Sequence, residues 1–313
     1  MGVPSTLRFV GLDIGGSFLK GAIVNPSGKV EGRLHEKVEK DTLESLLAQL
    51  ERAVRTLAGP SGARAVGVGI PGIVEQGSAR VFVAPNVPAL NGYALGDDFS
   101  KRVGMPIFAD NDANAAALAE AWLGAGRGSG RQIFVSLGTG IGAGIILDGH
   151  IWSGTSGYAG EIGHIQVDPE GLPCGCGSRG CVETIAGIPG WIRRTQTALE
   201  TRESSLRGQE LEPKTIVAAA QAGDAVALEI VDESADALGV GIGAALNLLN
   251  LDRVVLGGGV AAAGEFLLKR ISEAVRKRTF AQVFADSGFK LAELSGDAGV
   301  VGAARVAIIG LSR

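Results

Sequence analysis

Short apolar runs alternate with glycine-marked turns and amphipathic stretches along the chain, the pattern of an α/β protein. Leu7 to Ile14 is apolar and stops at Gly15-Gly16-Ser17. A second run, Phe18 to Val24, follows at once and closes in the turn Asn25-Pro26-Ser27-Gly28. The spacing predicts strand, glycine turn and strand, then a third strand over Val30 to Val38. From Asp41 to Leu57 the positions Leu43, Leu46, Leu47, Leu50, Val54 and Leu57 recur at helical spacing, and Asp41 with Glu44 reads as a capping box. Ala65 to Ile70 and Pro106 to Ala109 are short buried-type strands. The second feeds Asp110-Asn111-Asp112 and an Ala-rich helix over Ala113 to Trp122.

The segment Ile133 to Leu147, IFVSLGTGIGAGIIL, repeats the opening order of apolar strand, glycine turn with a hydroxyl, and apolar return strand. Two such hairpins predict two similarly built lobes with a cleft between them. Residues 201–213 are polar and punctuated, as a surface loop would be. Asp232 to Asn250 reads as a helix carrying Gly239, Gly241 and Gly243. Glycine costs about 1 kcal/mol per helical site relative to alanine, so this helix must pack closely on a neighbour. Leu251 to Leu256 is a strand running into Gly257-Gly258-Gly259, with helices expected over Ala263 to Arg278 and Ala298 to Leu311.

Composition narrows the class. A chain of 313 residues suits two lobes, and its 46 % hydrophobic and 20 % charged content is that of a soluble globular protein. The 49 glycines are more than twice the usual share of roughly 7 %, which points to many tight turns and close backbone approaches. A net charge of −4 without a basic block argues against a nucleic-acid partner. No apolar span of about 20 residues is present, so no membrane partner is expected. The opening MGVPSTLRFVGLDIGG lacks signal-peptide features, which places the protein in the cytoplasm. There its three cysteines would stay reduced, as metal ligands or inert core.

Four groups of residues carry candidate chemistry. Asp13, Gly15, Gly16, Ser17 and Lys20 place a carboxylate, glycines, a hydroxyl and an ammonium around the first turn. Glycine backbone N–H groups there are able to face an anion while Asp13 holds hydrated Mg²⁺; a plain hairpin turn is the alternative. Gly138, Thr139 and Gly140 repeat the arrangement, and two phosphate cradles on one cleft suit a nucleotide triphosphate. Asp110, Asn111 and Asp112 sit at a helix start, where one serves as cap and another is free to orient an attacking hydroxyl and take its proton. Cys174, Cys176 and Cys181, with His164 ten residues before the first, make a complete tetrahedral Zn²⁺ set, hence a structural site. Buried, inert cysteines are the alternative. Glu161 and Glu183 flank this segment and would accept sugar hydroxyls if the knuckle turns them toward the cleft; either alone would be a surface charge.

Together DIGGSFLK (13–20), GIPG (69–72), PNVPALNG (85–92), DNDANAAALAE (110–120), SLGTGIGAGI (136–145), GEIGH (160–164), CGCGSRGCVE (174–183) and LGGG (256–259) resemble the ROK sugar kinases and sugar-responsive repressors over essentially the whole chain. The resemblance implies an actin-like, ribonuclease H-like two-lobed α/β fold with a cleft between the lobes and a zinc knuckle. It implies a smaller N-terminal lobe over 1–115, completed by the C-terminal helix at about 299–313, and a larger lobe over 116–298 carrying the zinc motif. Asp112 would be the catalytic base, with Asn86, Asn111, Glu161, His164 and Glu183 also on the sugar. His164 would serve twice, one ring nitrogen on zinc and the other on the sugar. Asp13, Gly15, Gly16 and Ser17 would form the first phosphate loop, and Gly138, Thr139 and Gly140 the second. Gly257, Gly258 and Gly259 would border the adenosine. The family motif has Thr where this chain has Ser17, which keeps the hydroxyl.

The expected activity is transfer from Mg-ATP to a hexose, glucose first, with fructose, mannose and N-acetylhexosamines as competitors. A kinase using polyphosphate as donor is a third possibility; it would call for more Lys and Arg on the donor side, and the net charge of −4 gives no sign of them. Repressors of the family carry a helix-turn-helix ahead of the first loop; about a dozen residues precede Asp13 here, so a regulator is not expected. The resemblance also implies a homodimer or homotetramer.

Overall fold

The computed structural model describes residues 7–59, 62–75 and 77–312. Residues 1–6, part of the segment read as lacking a signal peptide, and Arg313, the end of the expected C-terminal segment, lie outside the described residues. Strand β1 (Phe9–Ile14) turns at the first glycine pair into β2 (Phe18–Val24), and β3 (Val30–Lys37) extends the meander. After α1 (Leu43–Ala58), β4 (Ala65–Ile70) lies parallel to β1. The small ribbon β5 (Ile73–Val74) and β6 (Val81–Val83) and the short α2 (Ser100–Val103) follow, and β7 (Ile107–Asn111) adds parallel to β4. Helix α3 (Asp112–Leu123) leads into the second half.

There β8 (Arg131–Leu137), β9 (Ile141–Leu147) and β10 (His150–Ile151) form another antiparallel meander. Helices α4 (Val182–Ala186), α5 (Ile188–Thr201), α6 (Pro213–Gln221) and α7 (Ala225–Leu249) precede β11 (Arg253–Gly257), which pairs parallel to β8. Then come α8 (Glu265–Arg276), α9 (Ala281–Asp286), β12 (Gly288–Leu291) parallel to β11, and α10 (Ala298–Leu311). The sheets read β3-β2-β1-β4-β7 and β10-β9-β8-β11-β12, so both lobes join a three-stranded meander to two parallel strands. The duplication expected from the two glycine hairpins is present in the topology.

Glycine spacing decides how the lobes meet. A Cβ on Gly67 would lie 1.7 Å from the Ala303 carbonyl oxygen, and one on Gly11 would lie 2.0 Å from that of Val300, so α10 rests directly on β1 and β4. Gly302 gives the same close approach to α3, 1.9 Å from the Ala115 carbonyl oxygen. The other side of α3 meets β9 at Gly144, whose Cβ would lie 2.5 Å from that of Ala117. Two helices packed on each other therefore separate the two sheets. The division expected at 115/116 falls inside α3, which packs on both α10 and the second sheet.

Elsewhere the structure sharpens or corrects the sequence expectations. The capping box of α1 is Thr42 with Ser45, one position beyond the expected pair. Glu44 is drawn away to Arg102, at 2.7 and 3.0 Å. The long helix starts at Ala225 rather than Asp232, because Asp224 caps it while also accepting from Ser204 and Ser205. Its glycines pack as expected: a Cβ on Gly239 would lie 2.7 Å from that of Ala274 on α8. No helix among the described residues is long and apolar enough to cross a membrane.

Candidate functional site

The cleft is lined by the segments that follow β1, β7 and β8. Strand β7 ends at Asn111, whose Oδ1 accepts from the backbone N–H groups of Ala113 (2.8 Å) and Asn114 (3.2 Å). Asn111 is thus the cap of α3, and its Nδ2 donates to the Gly72 carbonyl at 2.9 Å. Most of its hydrogen-bonding capacity is spent within the fold, which leaves at most one N–H for the sugar role expected of it. Asp110 is buried and accepts from Asn114 Nδ2 at 2.8 Å. Asp112, the first residue of α3, is the carboxylate of the trio that faces the cleft.

Asp112 retains some contact with water at the cleft floor but is surrounded by protein in most directions. Burial, then the nearby charge of Asp13, push its carboxyl up to about 7; Glu161 adds to the rise, and the Ala113 N–H at 2.9 Å opposes it. Asp13 is itself raised by burial, partly offset by Lys20, which pairs across the β1–β2 register. A Cβ on Gly69 would lie 3.8 Å from both Asp13 Oδ1 and Asp112 Cα, so these carboxyl-bearing residues flank one point of the cleft.

The glycine loops are shaped by space more than by dihedral angle. Among the expected loop glycines only Gly258 is left-handed, with φ of 85°. Gly15 N–H closes its turn on the Phe18 carbonyl at 2.8 Å and is not free to face an anion, contrary to the nest expected at that position. At Gly16 the nearest protein atom to a Cβ is 3.6 Å away, at Gly138 it is 3.9 Å, and at Gly259 there is none within 4 Å. A side chain at Gly259 would project into open space, while at Gly16 and Gly138 it would meet protein at ordinary contact distance. A Cβ on Gly258 would lie 2.4 Å from the Leu137 carbonyl oxygen, which sets the third glycine segment beside the start of the second loop. Ser17 and Thr139 occupy the two turns.

Lys40 was not singled out from the sequence. Its Nζ donates to the Gly16 carbonyl and, at 3.3 Å, to that of Asn86. It joins the first loop to the Asn86 segment, and its only sequence signal was a lysine just before α1.

The cysteine segment forms a tight knuckle. His164 Nδ1 lies 3.4 Å from Cys174 Sγ, Cys176 Sγ lies 3.8 Å from Cys181 Sγ, and all four donor atoms fall within 4.8 Å of one another. Tetrahedral zinc with Zn–S of about 2.3 Å and Zn–N of about 2.0 Å has S–S edges of about 3.8 Å and S–N edges of about 3.5 Å. The donor set fits that ion. Burial pushes the Cys181 thiol up to about 12, so a cation is needed to hold three thiolates together. Gly177 and Gly180 take left-handed φ of 93° and 56° to make the turns. With Nδ1 on the sulfur side, His164 Nε2 points the other way, 3.7 Å from Glu161 Oε2.

The knuckle also places the glutamates. Burial raises the Glu161 carboxyl, His164 opposes this, and Glu183 reinforces it. Glu183 Oε2 accepts from the Ile141 N–H at 2.9 Å, so it ties the knuckle side of the cleft to the residue after Gly140. Asp112, Glu161, His164 and Glu183 therefore converge, while Asn86 stands across Gly16, its Cβ 3.6 Å from where a Gly16 Cβ would be.

Two like-ordered sheets, a cleft edged by glycine loops and a Cys₃His knuckle define an actin-like, two-lobed α/β protein. The ROK family profile matches residues 9–309, and the chain belongs to the ROK family. A glucokinase of Halalkalibacterium halodurans is 36 % identical, covering 94 % of this chain and 93 % of its own. The crystal structure of a ROK family glucokinase from Streptomyces griseus in complex with glucose and AMPPNP matches with a TM-score of 0.82 at 35 % identity, covering 96 % of this chain and 99 % of that one. A xylose repressor of Caldicellulosiruptor bescii is 30 % identical, covering 94 % of this chain and 76 % of its own.

Proposed function

We propose that the protein is a sugar kinase that transfers the terminal phosphoryl group of Mg-ATP to a hexose hydroxyl, with glucose as first substrate. The observation that carries this reading is Asp112. A carboxylate at the cleft floor, between the Asp13 loop and the Glu161–His164–Glu183 cluster, is where a bound hydroxyl would meet a phosphoryl donor. Held near 7, it accepts a proton at neutral pH without being fully protonated there, the match that favours proton transfer. Phosphoryl transfer otherwise depends on positioning and on neutralising charge. Lys20, Lys40 and the backbone around Gly16 and Gly259 are the groups of this chain available for that, the Gly138 N–H being held by the Gly140 carbonyl at 3.1 Å, and Asp13 is the carboxylate that would hold Mg²⁺.

Zinc in the knuckle would keep His164 Nδ1 and the three sulfurs together as a structural anchor. His164 Nε2–H and the Glu161 carboxylate then face the sugar side as donor and acceptor. The relatives named glucokinase favour glucose. We infer a cytoplasmic setting, in which the clustered cysteines would serve as metal ligands rather than form disulfides. The N-terminal lobe, completed by α10, would be the smaller of the two, and the chain would assemble as a dimer or tetramer.

The test is ADP release from Mg-ATP over a panel of glucose, fructose, mannose and N-acetylhexosamines, repeated with polyphosphate as donor. Turnover with glucose that is abolished in Asp112→Asn is expected. Absence of turnover with every sugar and donor would remove the kinase reading and favour the repressor branch of the family.

A further inference from the structure

Glu120 has no place in the chemistry above, yet its burial is complete, at 0 % exposed. Among the described residues no salt bridge joins it, and a buried carboxylate is costly unless hydrogen bonds replace water. Backbone N–H groups do so here. Oε2 accepts from Ala125 at 2.8 Å and from Glu293 at 3.1 Å, and Oε1 accepts from Leu294 at 2.8 Å. Gly124 leaves the room, since a Cβ there would lie 2.0 Å from Oε2.

These donors belong to the two stretches by which the chain passes between the lobes. Residues 124–126 lead from α3 into β8, and residues 293–294 lead from β12 toward α10. The first stretch is fastened to the second lobe by Arg253 on the Ala125 carbonyl (2.9 Å) and Gln132 on that of Gly126 (3.3 Å). The far end of α3 and the near end of α10 reach the cleft. Asp112 opens α3, about 12 Å from Glu120 along the helix axis. Gly299 opens α10 so close to Asp13 that a Cβ would lie 2.3 Å from its Oδ2.

We infer that Glu120 is a positioning residue, a pin that fixes the two inter-lobe crossings to each other and so keeps Asp112 in register with Asp13. It touches no reacting group. Its effect on catalysis rests on the sugar-kinase reading, whereas the clamp itself does not. Glu120→Gln sets an NH₂ group against backbone donors and keeps only one good acceptor. The variant should lower kcat roughly 10- to 100-fold with both KM values little changed, since small misplacements of reacting groups act on turnover. It should also move the acid limb of kcat/KM to lower pH, because Asp112 drawn away from Asp13 loses part of the repulsion that raises it. A folded variant with wild-type zinc content, unchanged kcat and an unmoved acid limb would overturn the inference.

Hydrogen exchange of the wild-type protein decides the matter should the variant not fold. The Ala125, Glu293 and Leu294 amides should be equally protected without ligand and with glucose, Mg²⁺ and AMPPNP, while residues 15–17 and 138–140 gain protection with ligand. Fast exchange at the three amides, or exchange that changes with ligand, would contradict the pin. If the wild type released no ADP with any hexose, the kinase reading would fall, and the protection of the three amides without ligand would still judge the clamp.

Discussion

Replacing Asp112 by Asn separates its chemistry from its cost to the fold. In the unfolded chain this carboxyl ionises near 3.8, whereas in the fold it keeps its proton to about 7. Between those values the folded state holds the additional proton, so stability falls as pH rises and levels off above about 7. The difference of roughly 3 units sets a ceiling of about 4 kcal/mol. Asp112 still meets water at the cleft floor, which reduces the expected figure to about 1–2 kcal/mol. Asn cannot ionise, and its side-chain oxygen is able to keep the bond from the Ala113 N–H. The variant should therefore gain stability over wild type by about 1–2 kcal/mol more at pH 8 than at pH 5, while kcat falls by roughly 10²- to 10⁴-fold. Urea midpoints of both proteins at the two pH values test this, and any titration of the knuckle cancels because both proteins carry it. Equal stability differences at pH 5 and pH 8 would refute the argument that burial and Asp13 raise this group.

Wild-type kcat/KM should climb about tenfold per pH unit to an apparent pKa near 7 and then level off, as a pH–rate series would show. Cys176→Ser should lose zinc by metal analysis, lower the thermal midpoint and raise the sugar KM, since His164 belongs to both the knuckle and the cleft. Gly67→Ala should destabilise by about 3 kcal/mol in denaturant titration, because its Cβ would meet the backbone of α10 and neither element is able to yield. Lys40→Met should raise the KM for ATP and sugar together by roughly tenfold, since one ammonium holds both the Gly16 and the Asn86 segments.

Much of the fold was legible because its signals are local. The strand–glycine–strand order marks both hairpins, and the two sheets share one strand order as the repeat implied. The cysteine cluster was legible from spacing alone, and its donor atoms converge as read. What was hidden depends on partners far along the chain. The start of α1 shifted because Arg102 takes Glu44, 58 positions away. Lys40 acquires its place only when the Asn86 loop folds over Gly16. Glu120 carries no signal of its own in the sequence beyond its place in the Ala-rich helix, and only the approach of residues 293–294 makes it a buried clamp. Asn111 shows the reverse, a residue read as substrate-facing whose amide the helix start already occupies. Short elements such as β10 and β12 gave no periodic signal because they exist mainly as edges on a sheet formed by others.

The most direct test follows the phosphoryl group itself. Terminally labelled ATP with Mg²⁺ and glucose should yield labelled sugar phosphate in wild-type protein and only a trace in Asp112→Asn. Label that stays on ATP in the wild type for glucose and every other hexose, or equal transfer by the variant, would contradict a sugar kinase built around Asp112.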